Sequence, residues 1–345
     1  MYTYGYFEKM PDFKDLTVYT EEIGSIGRPN DVETAGGGRI VVISDSITFT
    51  GAGAKIQANA RPYSDFTARR YSLSGGSGGY IYVKTANANK QNSLSSTATV
   101  EAMGGYAIGD YTGGSGGVVI FDGGFFVPVD RVMVNGGVSE RKEETGCANG
   151  AAGTVYYTET DTLVIDNKGV TLTAATTVDI PVEKQNNSFE GLSELAKKLI
   201  VQGNARLIIK GEHSGLTFNE LFVFGGSWVE FGEQEDMVNI RFIESAHIAK
   251  DGVLDFSKTK RVLLYQGASN VDLDSQTRIG TILFQEFLGI RGNNVHLTGN
   301  ITVPAEFDNT IQRASKFGIE AENIKVYEDV AISSGFTFLH ANDTV

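Results

Sequence analysis

The nine residues GGSGGYIYV, Gly75–Val83, set four glycines around one serine and then run into four residues that favour a strand. The chain writes this again as GGSGGVVIF, Gly113–Phe121. Glycine clusters also open GGGRIVVI at Gly36 and GAAGTVYYT at Gly150. The strands that follow begin at Ile40, Tyr80, Val118 and Thr154, in steps of 40, 38 and 36 residues. Between them a second short strand recurs and closes on small residues: KIQANA (Lys55–Ala60), TVEAMGG (Thr99–Gly105) and RVMVNGG (Arg131–Gly137). Self-similarity at a nearly fixed step is the mark of a solenoid or a propeller.

The second half keeps this grammar with fewer glycines. KLIVQGNARLIIKG (Lys198–Gly211), ELFVFGGSWVEFG (Glu220–Gly232), NIRFIESAHIAKDGVLDF (Asn239–Phe256) and RVLLYQGASNVDLD (Arg261–Asp274) follow one another. FLGIRGNNVHLTGNITV (Phe287–Val303) and NIKVYEDVAISSGF (Asn323–Phe336) complete the series. Strand starts at Leu199, Leu221, Ile240 and Val262 are spaced by 22, 19 and 22 residues. Short alternating strands separated by Gly, Asn or Ser corners predict an all-β, right-handed parallel β-helix.

In such a fold, corners stack about 4.8 Å above one another. The glycines Gly75, Gly76, Gly78, Gly79, Gly113, Gly114, Gly116 and Gly117 are expected there, supplying positive φ and close backbone approach. A β-propeller also has blades of about 40 residues, but WD and kelch signatures are missing and Trp228 is the only tryptophan. A pair of β-sandwiches would not predict stacked glycine corners. The pattern SFEGLSELAKKLI, Ser188–Ile200, predicts one short helix with Ser188 as its cap. A weaker helical signal covers Phe307–Ala321. The organisation expected is a lead-in strand over 1–34, glycine-rich coils over 35–180, a helical junction over 181–200 and shorter coils over 201–345.

The 345 residues carry a formal charge of −13, with 42 glycines against 6 prolines. The acidic balance argues against nucleic acid or an anionic membrane face as partner. No apolar run reaches the length of a membrane span. The start, MYTYGYFEKMPDF, lacks a signal-peptide pattern and reads as a strand met in mid-fold, as in a segment or mature fragment of something longer, with a cytosolic protein as the alternative. The single cysteine, Cys147, excludes an internal disulfide framework and a cysteine zinc site. It reads as a free thiol, with an intermolecular bridge or a nucleophile as alternatives.

GGGRI, GGSGGYIYV and GAAGTVYYTETDTLVIDN (Gly150–Asn167) resemble the glycine-rich β-helix repeats of very large cell-surface proteins of protists, algae and plants. Those are similar in fold to the pectin-lyase superfamily. The resemblance covers about residues 35–170 and implies a fold more than an activity. The carbohydrate-active members of that superfamily imply NTD, DD, GHG and RIK motifs, none of which is present.

Chemistry is sparse elsewhere. Asp272 and Asp274 alternate onto one strand face, with Asp255 about one coil earlier, forming an acidic cluster or a solvating row. Glu233, Glu235 and Asp236 read as an exposed corner. His213, His247, His296 and His340 lie in separate coils without ligand spacing, so no metal and no cofactor is expected. Asn186, Asn300 and Asn342 begin N-glycosylation sequons. The tyrosines of YAIGDYTGG (Tyr106–Gly114) are sugar-stacking platforms or ordinary loop aromatics. The function expected is a structural or adhesive protein of the cell surface or exterior, a rod whose copies join end to end or to neighbouring β-helix segments, with glycans as further partners. The alternative is a carbohydrate-active enzyme or carbohydrate-binding module.

Overall fold

The computed structural model describes residues 36–49, 51, 53–60, 74–85, 93–94, 97–108, 111–124, 127–140, 148–180, 192–210, 215–232, 237–267, 276–307 and 309–341. It is 55% strand and 4% helix, which makes the class all-β. Two compact units divide the chain: Met1–Thr176 with Gln202–Arg206, and Thr177–Val201 with Leu207–Val345.

The first unit contains β1 (Arg39–Ser44), β2 (Thr48–Phe49), β3 (Lys55–Gln57), β4 (Tyr80–Thr85) and β5 (Ser93–Leu94). β6 (Thr99–Glu101), β7 (Val118–Asp122), β8 (Val132–Met133), β9 (Thr154–Tyr157) and β10 (Thr162–Asp166) follow. β1, β4, β7 and β9 lie side by side and parallel. Tyr80, Val118 and Thr154 are direct partners across three of them. Arg39, one residue before the expected Ile40, faces Tyr80. β3, β6 and β8 form a second parallel sheet, and β2 pairs with β5. Both faces of the first sheet are covered: Ile81, Val83, Val119 and Val155 on one side, Tyr82 and Ile120 on the other, are buried. The apolar runs YIYV and VVIF therefore bury residues on both faces, with Tyr80 and Val118 half-buried at their starts. β10 turns back antiparallel onto β9. Asp161 takes positive φ in that turn, and the Tyr156 hydroxyl donates to its carboxylate at 2.5 Å.

Between these strands the glycine runs bond sideways to one another. The N–H groups of Gly75 and Gly78 donate to Thr112 and Ser115 carbonyls, and those of Gly113 and Gly116 to Ala148 and Ala151. Gly114 and Gly117 donate in a different direction, to Gly105 and Ala102. Every third donor thus meets the same neighbour, the periodicity of a polyproline II segment, which has three residues per turn and no internal hydrogen bonds. Neighbouring backbones close in tightly. A Cβ on Gly75 would lie 2.0 Å from the Gly105 oxygen, on Gly114 1.8 Å from that of Gly76, and on Gly116 1.7 Å from that of Val134.

None of the eight cluster glycines has positive φ, contrary to the expectation for them; that conformation falls at Gly53, Gly123, Gly169, Gly203 and Gly226. Glycine is demanded in the clusters by the close spacing of neighbouring segments, not by a left-handed turn. Two buried asparagines complete this packing. Asn167 accepts from the Gly136 N–H at 2.8 Å and donates to the Gly150 carbonyl, while Asn149 accepts from Ser139 and donates to Thr171. Each side-chain amide stands in for a peptide group, so buried backbone donors are not left unpaired.

The second unit has two sheets. The longer contains β12 (Ser193–Glu194), β13 (Lys198–Gln202), β15 (Gly215–Val223), β17 (Met237–Ile248), β19 (Arg261–Gln266), β20 (Gln276–Ile279), β22 (Phe287–Leu297), β24 (Lys316–Val326) and β26 (Phe336–Ala341). The shorter is β11 (Thr176–Asp179), β14 (Arg206–Lys210), β16 (Trp228–Phe231), β18 (Val253–Phe256), β21 (Thr281–Phe284), β23 (Ile301–Thr302) and β25 (Ile332–Ser333), in that order. The pairings β13–β15, β15–β17, β17–β19, β19–β22, β22–β24 and β24–β26 are all parallel. So are β16–β18, β18–β21, β21–β23 and β23–β25.

Period-two alternation sends one row of each strand inward. Leu199, Leu221, Ile240, Val262, Leu288 and Phe317 are buried, as are Leu207, Val229, Leu254, Ile282 and Ile301 of the shorter sheet. Phe231 and Phe256 stack with ring centroids 4.4 Å apart, and Phe284 is the strand partner of Phe256. Each such ring contributes about 1.5–3 kcal/mol by burial. Leu199 pairs with Leu221 as the sequence spacing predicts, but Leu221 meets Ala246 and Ile240 meets Leu264. β15 and β17 begin at Gly215 and Met237, ahead of the expected starts, so Ile240 partners Leu216, and a bulge between Phe218 and Glu220 adds a further shift of one residue.

The helix expected over Ser188–Ile200 is overturned for its described part. Ser193–Glu194 and Lys198–Gln202 are strands, and residues 188–191 lie outside the described residues. Lys198 to Gln202 alternates half-buried and buried, and its ladder with β15 outweighs the helix preference of ELAKKL. The α-helix among the described residues is α1 (Asn309–Ala314), within the weaker candidate Phe307–Ala321, and it ends before β24 begins.

Candidate functional site

Several expected site residues, Asp272, Asp274, Asn186, Asn342, Cys147, His213, Glu233, Glu235 and Asp236, lie outside the described residues. Asp255 is buried in β18 and accepts from the Ser257 N–H at 2.9 Å. Its strand neighbour Glu230 pairs with Lys258 at 2.5 Å. Asn300 is exposed, and its side-chain oxygen accepts from Ala331 at 2.9 Å. Tyr111 is exposed. Among the described residues no three His, Cys, Asp or Glu groups gather to hold a metal. No helix there is long and apolar enough to cross a membrane.

Two carboxylates of the first unit, Glu101 and Asp122, sit among several donors each. Glu101 receives Lys55 at 2.8 Å, Gln57 at 2.5 Å, Asn59 at 3.1 Å and Thr99 at 2.6 Å. Burial alone would raise its pKa, but these four donors outweigh burial and hold it at about 2. Asp122 receives the Tyr82 hydroxyl at 2.5 Å, Lys84 at 2.9 Å and Thr158 at 3.1 Å. Burial and then this bond raise the Tyr82 phenol. Both clusters tie neighbouring strands together and leave their carboxylates committed.

The outward face of the longer sheet in the second unit is different. Phe222 is the direct partner of His247, His247 of Arg278, Arg278 of His296 and His296 of Lys325. Strands lie about 4.8 Å apart, so one row of five side chains crosses β15, β17, β20, β22 and β24 over about 19 Å. Their flanking residues Leu221 and Val223, Ala246 and Ile248, Thr277 and Ile279, Val295 and Leu297 are buried, which turns the row outward.

Phe222 and His247 stack at 5.1 Å, with the Lys198 ammonium 4.7 Å from the phenyl centroid. Lys198 is itself paired with Glu220 at 2.7 Å. His296 faces Tyr327 at 6.1 Å, and the Lys325 ammonium lies 4.8 Å from the Tyr327 centroid. The Nδ1 atom of His296 is buried without a hydrogen-bond partner. Arg278 and Lys325 are exposed and form no ion pair among the described residues. Burial, Arg278 and Lys198 depress His247 against the opposing pull of Glu220; burial, Lys325 and Arg278 depress His296. At neutral pH the row therefore reads ring, ring, cation, ring, cation. Beside it, Asn323 donates to Asn294 at 2.9 Å.

Sequence reasoning treated the histidines as isolated because each belongs to a different strand. The available signal was a shared local pattern: Leu-Phe-Val, Ala-His-Ile, Thr-Arg-Ile and Val-His-Leu each set one outward residue between buried ones, and Ile-Lys-Val repeats the pattern in sequence although Val326 is exposed. No family model, no curated protein and no solved structure matches the chain.

Proposed function

We propose that the chain is a structural or adhesive protein of the cell exterior, that each unit is a parallel β-helix, and that copies associate strand to strand. The parallel registers, the stacked inward rows and the sideways-bonded glycine runs support the β-helix reading. One observation carries the self-association. Within the described residues β26 pairs only with β24, and all six of its residues are exposed. Phe336 is 61% exposed and Phe338 54%.

Soluble proteins blunt such edges with Lys, Pro or a bulge. β26, FTFLHA, has no Lys or Pro, and its ladder with β24 runs without a register shift. A strand of a second copy satisfies both its free backbone groups and its apolar side chains. A heterologous contact of this kind repeats head to tail and gives a filament when its rotation does not close. The exposed sequon asparagine Asn300 fits an exterior location.

Sedimentation velocity across a concentration series tests the proposal. The wild type is expected to gain mass with concentration, and Phe338→Lys to stay monomeric with an unchanged far-UV spectrum. A wild type that remains monomeric at its solubility limit, or a variant that associates equally, overturns it.

A further inference from the structure

We infer that the row Phe222, His247, Arg278, His296 and Lys325 is a binding site for a linear acidic polysaccharide. This names a ligand for the adhesive reading and does not depend on self-association. The chemistry follows from the order of the side chains. Phenyl and uncharged imidazole rings offer flat faces to the apolar faces of sugar rings. Arg278 and Lys325, exposed and without a carboxylate partner among the described residues, offer full positive charge at alternate positions.

An extended chain laid across the strands meets ring and cation in turn, so a polymer with regularly spaced carboxylate or sulfate groups fits better than a neutral one. The neighbouring amides of Asn294 and Asn323 supply further groups for hydroxyls. The row is long enough, at about 19 Å, to meet several sugar units at once. A nucleic acid is the poorer occupant. It demands many phosphate contacts, whereas this row supplies two unpaired cations on a chain of net charge −13.

Affinity electrophoresis of the full chain in gels containing polygalacturonate, heparin or neutral dextran tests the inference, with a fluorescent dT oligonucleotide as a fourth probe. Retardation by polygalacturonate or heparin is expected, the retained polyanion naming the acid group, with none by dextran. Arg278→Gln and Lys325→Gln, both at exposed positions, should each weaken retention about tenfold, the loss of one charge-assisted contact. Lys258→Gln, at the end of β18 in the other sheet, should not. Phe338→Lys should bind like the wild type, which separates this site from the association edge. Absence of retardation by both polyanions at low salt overturns the inference. So does full retention in the two row variants, or an oligonucleotide bound as tightly as the polysaccharide.

Discussion

Replacing Gly116 by alanine probes the glycine layer at its tightest point. The added Cβ would lie 1.7 Å from the Val134 carbonyl oxygen and 2.5 Å from the Gly153 nitrogen. Both obstacles are backbone, so neither can rotate away, and relief requires segments to move apart by more than 1 Å, on the order of a bond length. That separation breaks bonds the contact now holds. The Gly116 N–H donates to Ala151 at 2.9 Å, Gly117 to Ala102 at 2.7 Å and Gly153 to Val134 at 2.6 Å. A buried donor left unpaired costs about 1–3 kcal/mol. Losing two of the three gives about 2–6 kcal/mol.

Gly38→Ala is the matched control. Gly38 belongs to the first glycine cluster, is exposed, has no positive φ, and a Cβ there meets nothing within 4 Å. Its substitution should be neutral or stabilise by about 0.4–1 kcal/mol through the unfolded chain. Urea unfolding of both variants, followed by circular dichroism, gives the two values. Equal stabilities for Gly116→Ala and Gly38→Ala would refute the close-packed glycine layer, because flexibility alone predicts no difference between them.

The Glu101 carboxyl falls from 4.5 to about 2 on folding. Its stabilisation is therefore present above about pH 4.5 and lost as pH falls toward 2, amounting to about 3 kcal/mol at neutral pH. Glu101→Gln should be less stable by up to that amount at pH 7, with the gap closing by about pH 2 in denaturant titrations; a gap independent of pH contradicts the assignment. Asn167→Ala leaves the Gly136 N–H and Gly150 carbonyl without their side-chain partner. It should cost about 1–3 kcal/mol and speed amide exchange at Gly136, and unchanged exchange there would count against the capping role.

What the sequence disclosed depended on how local each signal was. The glycine clusters and the β-branched and aromatic runs after them are contiguous, so Tyr80, Val118 and Thr154 could be aligned by inspection, and they are partners. The reason for the glycines was harder to see. Positive φ is the commoner cause of a glycine, whereas an oxygen 1.7 Å from a would-be Cβ belongs to a residue in another segment. The stretch from Leu192 to Ile200 misled because Glu, Leu, Ala and Lys favour helix, while the ladder that makes it a strand comes from β15. The candidate binding row was least legible. Its members span Phe222 to Lys325, and their alignment depends on loop lengths and on the bulge in β15.

The side-by-side stacking of parallel strands in the second unit can be measured directly with spin labels at Ile200 and Lys325, in a Cys147→Ser background. These residues are 125 positions apart in sequence (325 minus 200) yet joined by five successive partner steps through Phe222, His247, Arg278 and His296. Double electron–electron resonance should give one narrow distance distribution near 24 Å, or about five strand spacings, broadened by the label linkers. A distribution centred far beyond that distance, or one without a defined peak, contradicts the stacked-strand account.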